Sequence, residues 1–203
     1  MKIICIGRNY REHAKELNNE VPEKPVFFIK PDNCLLRNNQ PFFYPDFTND
    51  LHYELEVVLR INRLGRSINK KFAHRYYDAI TLGIDFTARD LQQECKQKGL
   101  PWEMAKAFDY SAPIGPFIPK EDLGDLNSLD FYLKKNGEMV QHGNTADMIY
   151  GYDELIEHVS KFVTFRTGDL LFTGTPSGVG PVKVGDRLQA YLGERLILDF
   201  FVK

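Results

Sequence analysis

The chain has 203 residues, 26 basic and 28 acidic side chains and a formal net charge of −2. That length can bury one full core, and 43% apolar with 27% charged residues is the composition of an ordinary globular protein. No basic run offers a nucleic-acid footprint, no apolar stretch is long enough to span a bilayer, and Met1–Gly7 is too short for a signal-peptide core. The three scattered cysteines, Cys5, Cys34 and Cys95, make neither a disulfide framework nor a C-x-x-C site, so a cytoplasmic location is expected.

Lys2 to Ile6 reads as a short buried strand, and Gly7-Arg8-Asn9-Tyr10 as a loop. Arg11 to Leu17 reads as a short helix on which His13 and Glu16, three apart, can touch. Such a pair is either a solvated ion pair or a base with its orienting acid. The polar residues from Asn18 to Lys24 continue as a loop, and the segment 11–24 has few apolar residues of its own. Pro25 to Lys30 reads as a strand turned by Pro31-Asp32-Asn33, and Leu35 to Thr48 as irregular, broken by Pro41 and Pro45.

Leu51 to Leu59 reads as one strand with Leu51, Tyr53, Leu55, Val57 and Leu59 on its apolar face. Side chains alternate, so Glu54 and Glu56 share the other face with Cα atoms roughly 6.5–7 Å apart. That face is either a wet acidic surface or two-thirds of a site for a hard divalent cation. Asp85, inside the apolar run from Ala79 to Phe86, bears on the choice, because an unpaired carboxylate there is costly.

Lys70 to Asp78 reads as a helix whose His74 lacks a ligand motif, and Ala88 to Lys98 as a helix stopped by Gly99. Leu100 to Pro116 is loop-rich and contains Trp102 and Lys106. Asn136-Gly137 sets a hairpin between Leu129–Lys134 and Glu138–Gln141, where Leu133 and Val140 could form a dimer face. Asp153 to Val163 is an amphipathic helix with Asp153 expected as its cap. Asp169 to Thr173 is a strand, and a final hairpin joins Arg187–Leu192 to Arg195–Val202. Many strands, few helices and no regular βαβ alternation predict a mixed α/β, β-rich fold in a single domain over residues 1–203.

The Gly174 to Pro181 loop lacks the G-K-[ST] of a phosphate loop and the helix of a dinucleotide site. It is either a plain turn or a set of N–H groups and hydroxyls for a small anion. No G-x-S-x-G elbow occurs, which argues against a serine nucleophile of the hydrolase-fold kind.

Five pieces in order resemble the fumarylacetoacetate hydrolase family: Tyr53-Glu54-x-Glu56; Asp85-x-Thr87-Ala88-Arg89-Asp90-Leu91-Gln92; Lys98-Gly99-Leu100-Pro101-Trp102 with Lys106-x-Phe108-Asp109; Gly143-Asn144-Thr145-x-Asp147-Met148-Ile149; and Thr173-Gly174-Thr175-Pro176-x-Gly178-Val179-Gly180. Gly7-Arg8-Asn9-Tyr10-x-x-His13-x-x-Glu16 is similar to the short acylpyruvase and oxaloacetate decarboxylase branch. Ile84 stands where Asn is common in the family and Phe86 where Val is common, and neither is a proposed ligand.

The resemblance implies a mixed β-sandwich roll with a short helical lid over residues 11–24, usually a homodimer. It implies Mg²⁺ or Mn²⁺ held by Glu54, Glu56 and Asp85. His13, Glu16 and Lys106 would be catalytic, and Lys30, Arg89, Gln92 and Thr175 would bind a small 2-oxo acid. The implied chemistry passes through an enolate stabilised by the ion. It serves acylpyruvate C–C hydrolysis or oxaloacetate decarboxylation, and alternatively an isomerase or tautomerase. The rival from another class is a non-catalytic metal-binding module, which has no need of the His13–Glu16 pair.

Overall fold

The computed structural model describes residues 1–17 and 20–203. Residues 18 and 19 of the expected lid lie outside the described residues. In chain order the described strands begin with β1 (Lys2–Gly7), β2 (Val26–Pro31), β3 (Leu35–Leu36), β4 (Leu51–Tyr53) and β5 (Leu55–Ile61). They continue with β6 (Tyr77–Ile84), β7 (Thr87–Ala88), β8 (Ala112–Pro113), β9 (Ile118–Pro119) and β10 (Asp130–Lys135). The last are β11 (Glu138–Asn144), β12 (Leu170–Phe172), β13 (Gly180–Pro181), β14 (Arg187–Leu192) and β15 (Arg195–Phe201). Helices α1 (Arg11–Glu16), α2 (Lys70–Ala73), α3 (Arg89–Lys98), α4 (Glu103–Lys106) and α5 (Tyr152–Phe162) lie between them.

A six-stranded sheet in the order β2-β1-β12-β5-β6-β9 carries the site. It is antiparallel except for the parallel pair β1–β12. One face buries Ile4, Ile6, Leu55, Val57, Leu59 and Ile80 in the main core, together with side chains of a second sheet, β11-β10-β14-β15. The other face buries Ile3, Cys5, Val58 and Phe172 in a smaller cluster. Coverage on both faces explains why β5 is apolar at nearly every position. Its neighbour Gly83 has no side chain because a Cβ there would meet the Phe172 ring at 2.6 Å. Asn136 (φ 55°) and Gly137 (φ 87°) form the hairpin turn their dipeptide predicts.

The expected single strand from Leu51 to Leu59 is two strands. β4 pairs with β13 and β7 in a three-stranded sheet, whereas β5 pairs with β12 and β6, and Glu54 is the residue between them. The wet acidic face is also absent: Glu54 is 5% and Glu56 1% exposed. The expected helix from Lys70 to Asp78 stops at Ala73, because Tyr77 and Asp78 already pair in β6 or its edge. The cap of α5 is Gly151, whose N–H donates to Glu154 at 3.1 Å, and not Asp153. One turn of helix, α4, sits in the loop-rich stretch, too short to leave a periodic signal. Leu133 is fully buried in the core and cannot face a partner; Val140 is half-buried.

Candidate active site

Glu54 reaches the site because the backbone changes sheets there. Its carbonyl accepts the Asp85 N–H at 2.8 Å, just past the end of β6. The next N–H, of Leu55, has no strand to bond and donates instead to Gln141 Oε1 at 2.9 Å. Glu56, opposite Gly83 in the ladder, accepts the Gly174 N–H at 2.6 Å on Oε2. Gly174 is at φ +101°, and a Cβ there would stand 2.7 Å from Asn9 Cβ, so only glycine brings this N–H to the carboxylate. The three carboxylates of Glu54, Glu56 and Asp85 thereby place ligand oxygens within 4.8 Å of one another.

Cations surround them. Lys106 Nζ, at the end of α4, lies 2.8 Å from Glu54 Oε2 and 2.7 Å from Asp85 Oδ2. Arg89 donates to Glu54 Oε1 at 2.6 Å and to Gln92 Oε1 at 2.7 Å, the two residues being neighbours on one face of α3. Lys30, fully buried, reaches the site from behind Asp85, with Nζ 2.6 Å from Oδ1. Its donors are directed to Ser111 O (2.9 Å), Ser111 Oγ (3.0 Å) and Phe86 O (3.4 Å). The Lys30–Asp85 contact is therefore an ion pair outside hydrogen-bond geometry, and Asp85 Oδ1 accepts no hydrogen bond.

The carboxylates are unequal. Burial raises the Glu54 carboxyl, but Lys106, Arg89 and His13 outweigh it and hold it below the ordinary range. Burial and then Asp85 push Glu56 well above its ordinary value, against the Gly174 N–H. Burial would lower Lys106, yet Asp85 and Glu54 together raise it, so it stays charged.

α1 lies over this cluster with His13 and Ala14 buried. His13 Nδ1 is 3.2 Å from Glu16 Oε2, and Glu16 Oε1 accepts the Gly178 N–H at 3.0 Å. Glu16 thus ties the helix to the Gly-rich loop and orients the ring. Burial lowers the imidazole below its ordinary value, opposed by the Glu54 charge and the Glu16 hydrogen bond. His13 and the three carboxylates line one cavity of ≈ 40 Å³, with Arg89, Gln92, Lys106 and Thr175 also on its wall. Of the expected site residues, two stand off this wall: Lys30, paired with Asp85, and Glu16, which reaches the site through His13.

Two positioning residues escape sequence reasoning. Asn9, fully buried, bonds Tyr150 N (2.9 Å), Tyr150 O (3.0 Å) and Thr173 O (2.8 Å), fixing the approach to α1. Gln141 bonds the Leu55 N–H on one side and Thr175 Oγ1 (2.9 Å) and Pro176 O (3.1 Å) on the other. A polar residue on a strand carries no signal of such long-range partners. The exposed His74 takes no part.

The donor set suits a hard divalent ion. It is three buried carboxylates, all-oxygen, with ligand atoms within 4.8 Å of one another. Lys106 balances Glu54 and Asp85 by occupying the position between them.

Residues 2–197 match the family model described as fumarylacetoacetate (FAA) hydrolase C-terminal. The chain is 42% identical over 201 residues to a Bos taurus protein named oxaloacetate tautomerase FAHD1, mitochondrial, covering 99% of this chain and 91% of that one. It is 45% identical over 185 residues to oxaloacetate decarboxylase, mitochondrial, of Dictyostelium discoideum, covering 91% and 85%. Among solved structures, fumarylpyruvate hydrolase from Pseudomonas aeruginosa in complex with Mn²⁺ and pyruvate superposes with a TM-score of 0.95 at 36% identity, covering 100% of this chain and 89% of that one.

Proposed function

Because the chain belongs to the fumarylacetoacetate hydrolase family, we propose that it is a divalent-metal-dependent enzyme acting on short 2-oxo acids of the oxaloacetate kind by proton transfer at C3. The observation that carries this is His13, a buried imidazole held by Glu16 on the wall of the carboxylate cavity. With Nδ1–H donated to Glu16, Nε2 is the free basic atom. A bound Mg²⁺ or Mn²⁺, held by Glu54, Glu56 and Asp85, would supply Lewis acidity toward the 2-oxo oxygen. His13 takes the C3 proton, and Lys106 holds the negative charge that develops on the substrate. Arg89, Gln92 and Thr175 orient the acid, and Lys30 fixes Asp85 from behind. Returning the proton to the 2-oxo oxygen completes a keto–enol tautomerisation.

Oxaloacetate decarboxylation and acylpyruvate C–C hydrolysis use the same residues. Hydrolysis in addition needs a water between His13 and the distal carbonyl. Tautomerisation is the best-supported reading because it requires only the proton transfer that His13 is placed to perform. The test is the Mg²⁺-dependent interconversion of enol and keto oxaloacetate, followed by the loss of enol absorbance. His13→Ala should lose about 10²–10⁴-fold in rate, the usual range for a general base. Oxalate should compete. A full rate in His13→Ala, or no metal dependence, rejects the reading.

The same proposal includes Mg²⁺ as the working ion, a homodimer and a cytoplasmic location. The named eukaryotic relatives are mitochondrial, and no helix among the described residues is long and apolar enough to cross a membrane. Metal analysis of the purified protein, sedimentation and cell fractionation test these three points.

A further inference from the structure

Lys30, Lys106 and Arg89 are engaged with the carboxylates of the site. Two more cations line the same cavity, Arg8 and Lys96, and neither forms an ion pair among the described residues. Arg8 lies in the turn between β1 and α1 at φ 58°, the left-handed region that a bulky side chain rarely adopts. Such strain persists only where the surroundings over-determine it, and it gathers at functional sites. Asn9, locked to Tyr150 and Thr173, supplies that constraint. Lys96 follows Arg89 and Gln92 on one face of α3, at the i, i+3, i+7 spacing. Burial, then Arg8 and Arg89, lower its pKa, the mark of crowded positive charge that an anion would relieve.

Two aromatic rings share the lining, one of them, Trp102, with its centroid 5.9 Å from Lys96 Nζ. Phe28 and Trp102, with ring centroids 6.0 Å apart, line both the cavity and a neighbouring groove of ≈ 300 Å³. Beside them the cavity, at ≈ 40 Å³, has room for about three water-sized groups.

We propose that Arg8 and Lys96 form a subsite for the distal carboxylate of a four-carbon 2-oxo diacid, and that this subsite favours tautomerisation over decarboxylation. The proposal rests on the reading that the cavity takes 2-oxo acids. In decarboxylation the C3–C4 bond breaks, its electron pair passes toward C3 and the 2-oxo oxygen, and neutral CO₂ leaves. The distal charge disappears, so ion pairs to it stabilise the ground state more than the transition state and slow the step. In tautomerisation the C3–H bond breaks, the proton passes to His13 Nε2 and then to the 2-oxo oxygen, and the distal carboxylate keeps its charge throughout. The ion pairs are then retained.

The test uses the full chain loaded with Mg²⁺, the variants Arg8→Gln and Lys96→Gln, and titration calorimetry with malate, lactate and oxalate. Malate and lactate share a head group and differ only by the distal carboxylate, and oxalate reports the head site alone. Wild type should bind malate at least about tenfold more tightly than lactate, and each variant should lose about tenfold of that preference. Oxalate affinity should stay within about twofold. The ratio of CO₂ release to tautomerisation of oxaloacetate should rise in both variants. A malate preference that survives both substitutions overturns the proposal, and so does a fall in oxalate affinity equal to the fall for malate. A wild type that binds none of the three acids overturns the underlying 2-oxo acid reading instead.

Discussion

As the proposed base, His13 would work only when neutral, so its titration would set the acid limb of the rate profile. Burial is the largest influence and lowers its pKa, while Glu54 and Glu16 oppose it. The limb of kcat/KM should therefore fall below the ordinary histidine value of about 6.5, with activity lost as pH drops through it. A limb above that value contradicts the assignment. Glu16→Gln removes one influence that raises the ring, so the limb should move further down while kcat falls. Lys106 offers a second test. It is buried between Glu54 and Asp85, and Lys106→Met removes the cation they share, leaving Glu54 with Arg89 alone and Asp85 with Lys30 alone. Breaking a buried pair from one side costs roughly 3–5 kcal/mol. Thermal unfolding in EDTA should show that loss, and saturating Mg²⁺ should restore part of it, since a divalent cation replaces the missing charge.

At the scale of elements, the break between β4 and β5 decides the geometry. Two strands in different sheets meet at Glu54, and Gln141 on β11 closes the gap by accepting the Leu55 N–H. Leu55 stands between two of the three carboxylate residues. Gln141→Leu leaves that N–H buried without a partner, at about 1–3 kcal/mol, and releases Thr175 from its bond. The variant should lose stability in denaturant titration and also lose Mg²⁺ affinity by calorimetry. Lost stability with unchanged metal affinity would confine Gln141 to holding the fold. The loop after β12 acts similarly: Gly174 gives Glu56 its N–H donor and Gly178 gives Glu16 one, so a single loop holds both the carboxylate cluster and α1.

For the molecule as a whole, the proposed metal would join parts far apart in the chain: the start of β5, the end of β6 and, through Glu56, the loop at Gly174. An ion that binds only the folded state stabilises by about 2.7 kcal/mol at a hundredfold excess over Kd. Tm should rise with Mg²⁺ and fall with EDTA. Glu56→Gln should abolish that response; a response that persists in this variant would place the ion elsewhere.

Alternation and turn chemistry determined much of this protein locally. The apolar parity of Leu51, Tyr53, Leu55, Val57 and Leu59, the Asn136-Gly137 hairpin, the stop of α3 at Gly99 and the His13–Glu16 spacing each depend on neighbours a few residues away. The family motifs extended that reading to the three carboxylates and their cations. The sequence left open whether the Glu54 and Glu56 face was wet, and it hid the sheet change at Glu54, the roles of Asn9 and Gln141, and the place of Arg8 and Lys96 on the cavity wall, without an ion pair among the described residues. These were decided by tertiary structure alone. Burial depends on what covers a face, and a strand ends where its hydrogen-bond partners change, so both are set by segments distant in the chain, as in the Leu55–Gln141 bond with its separation of 86.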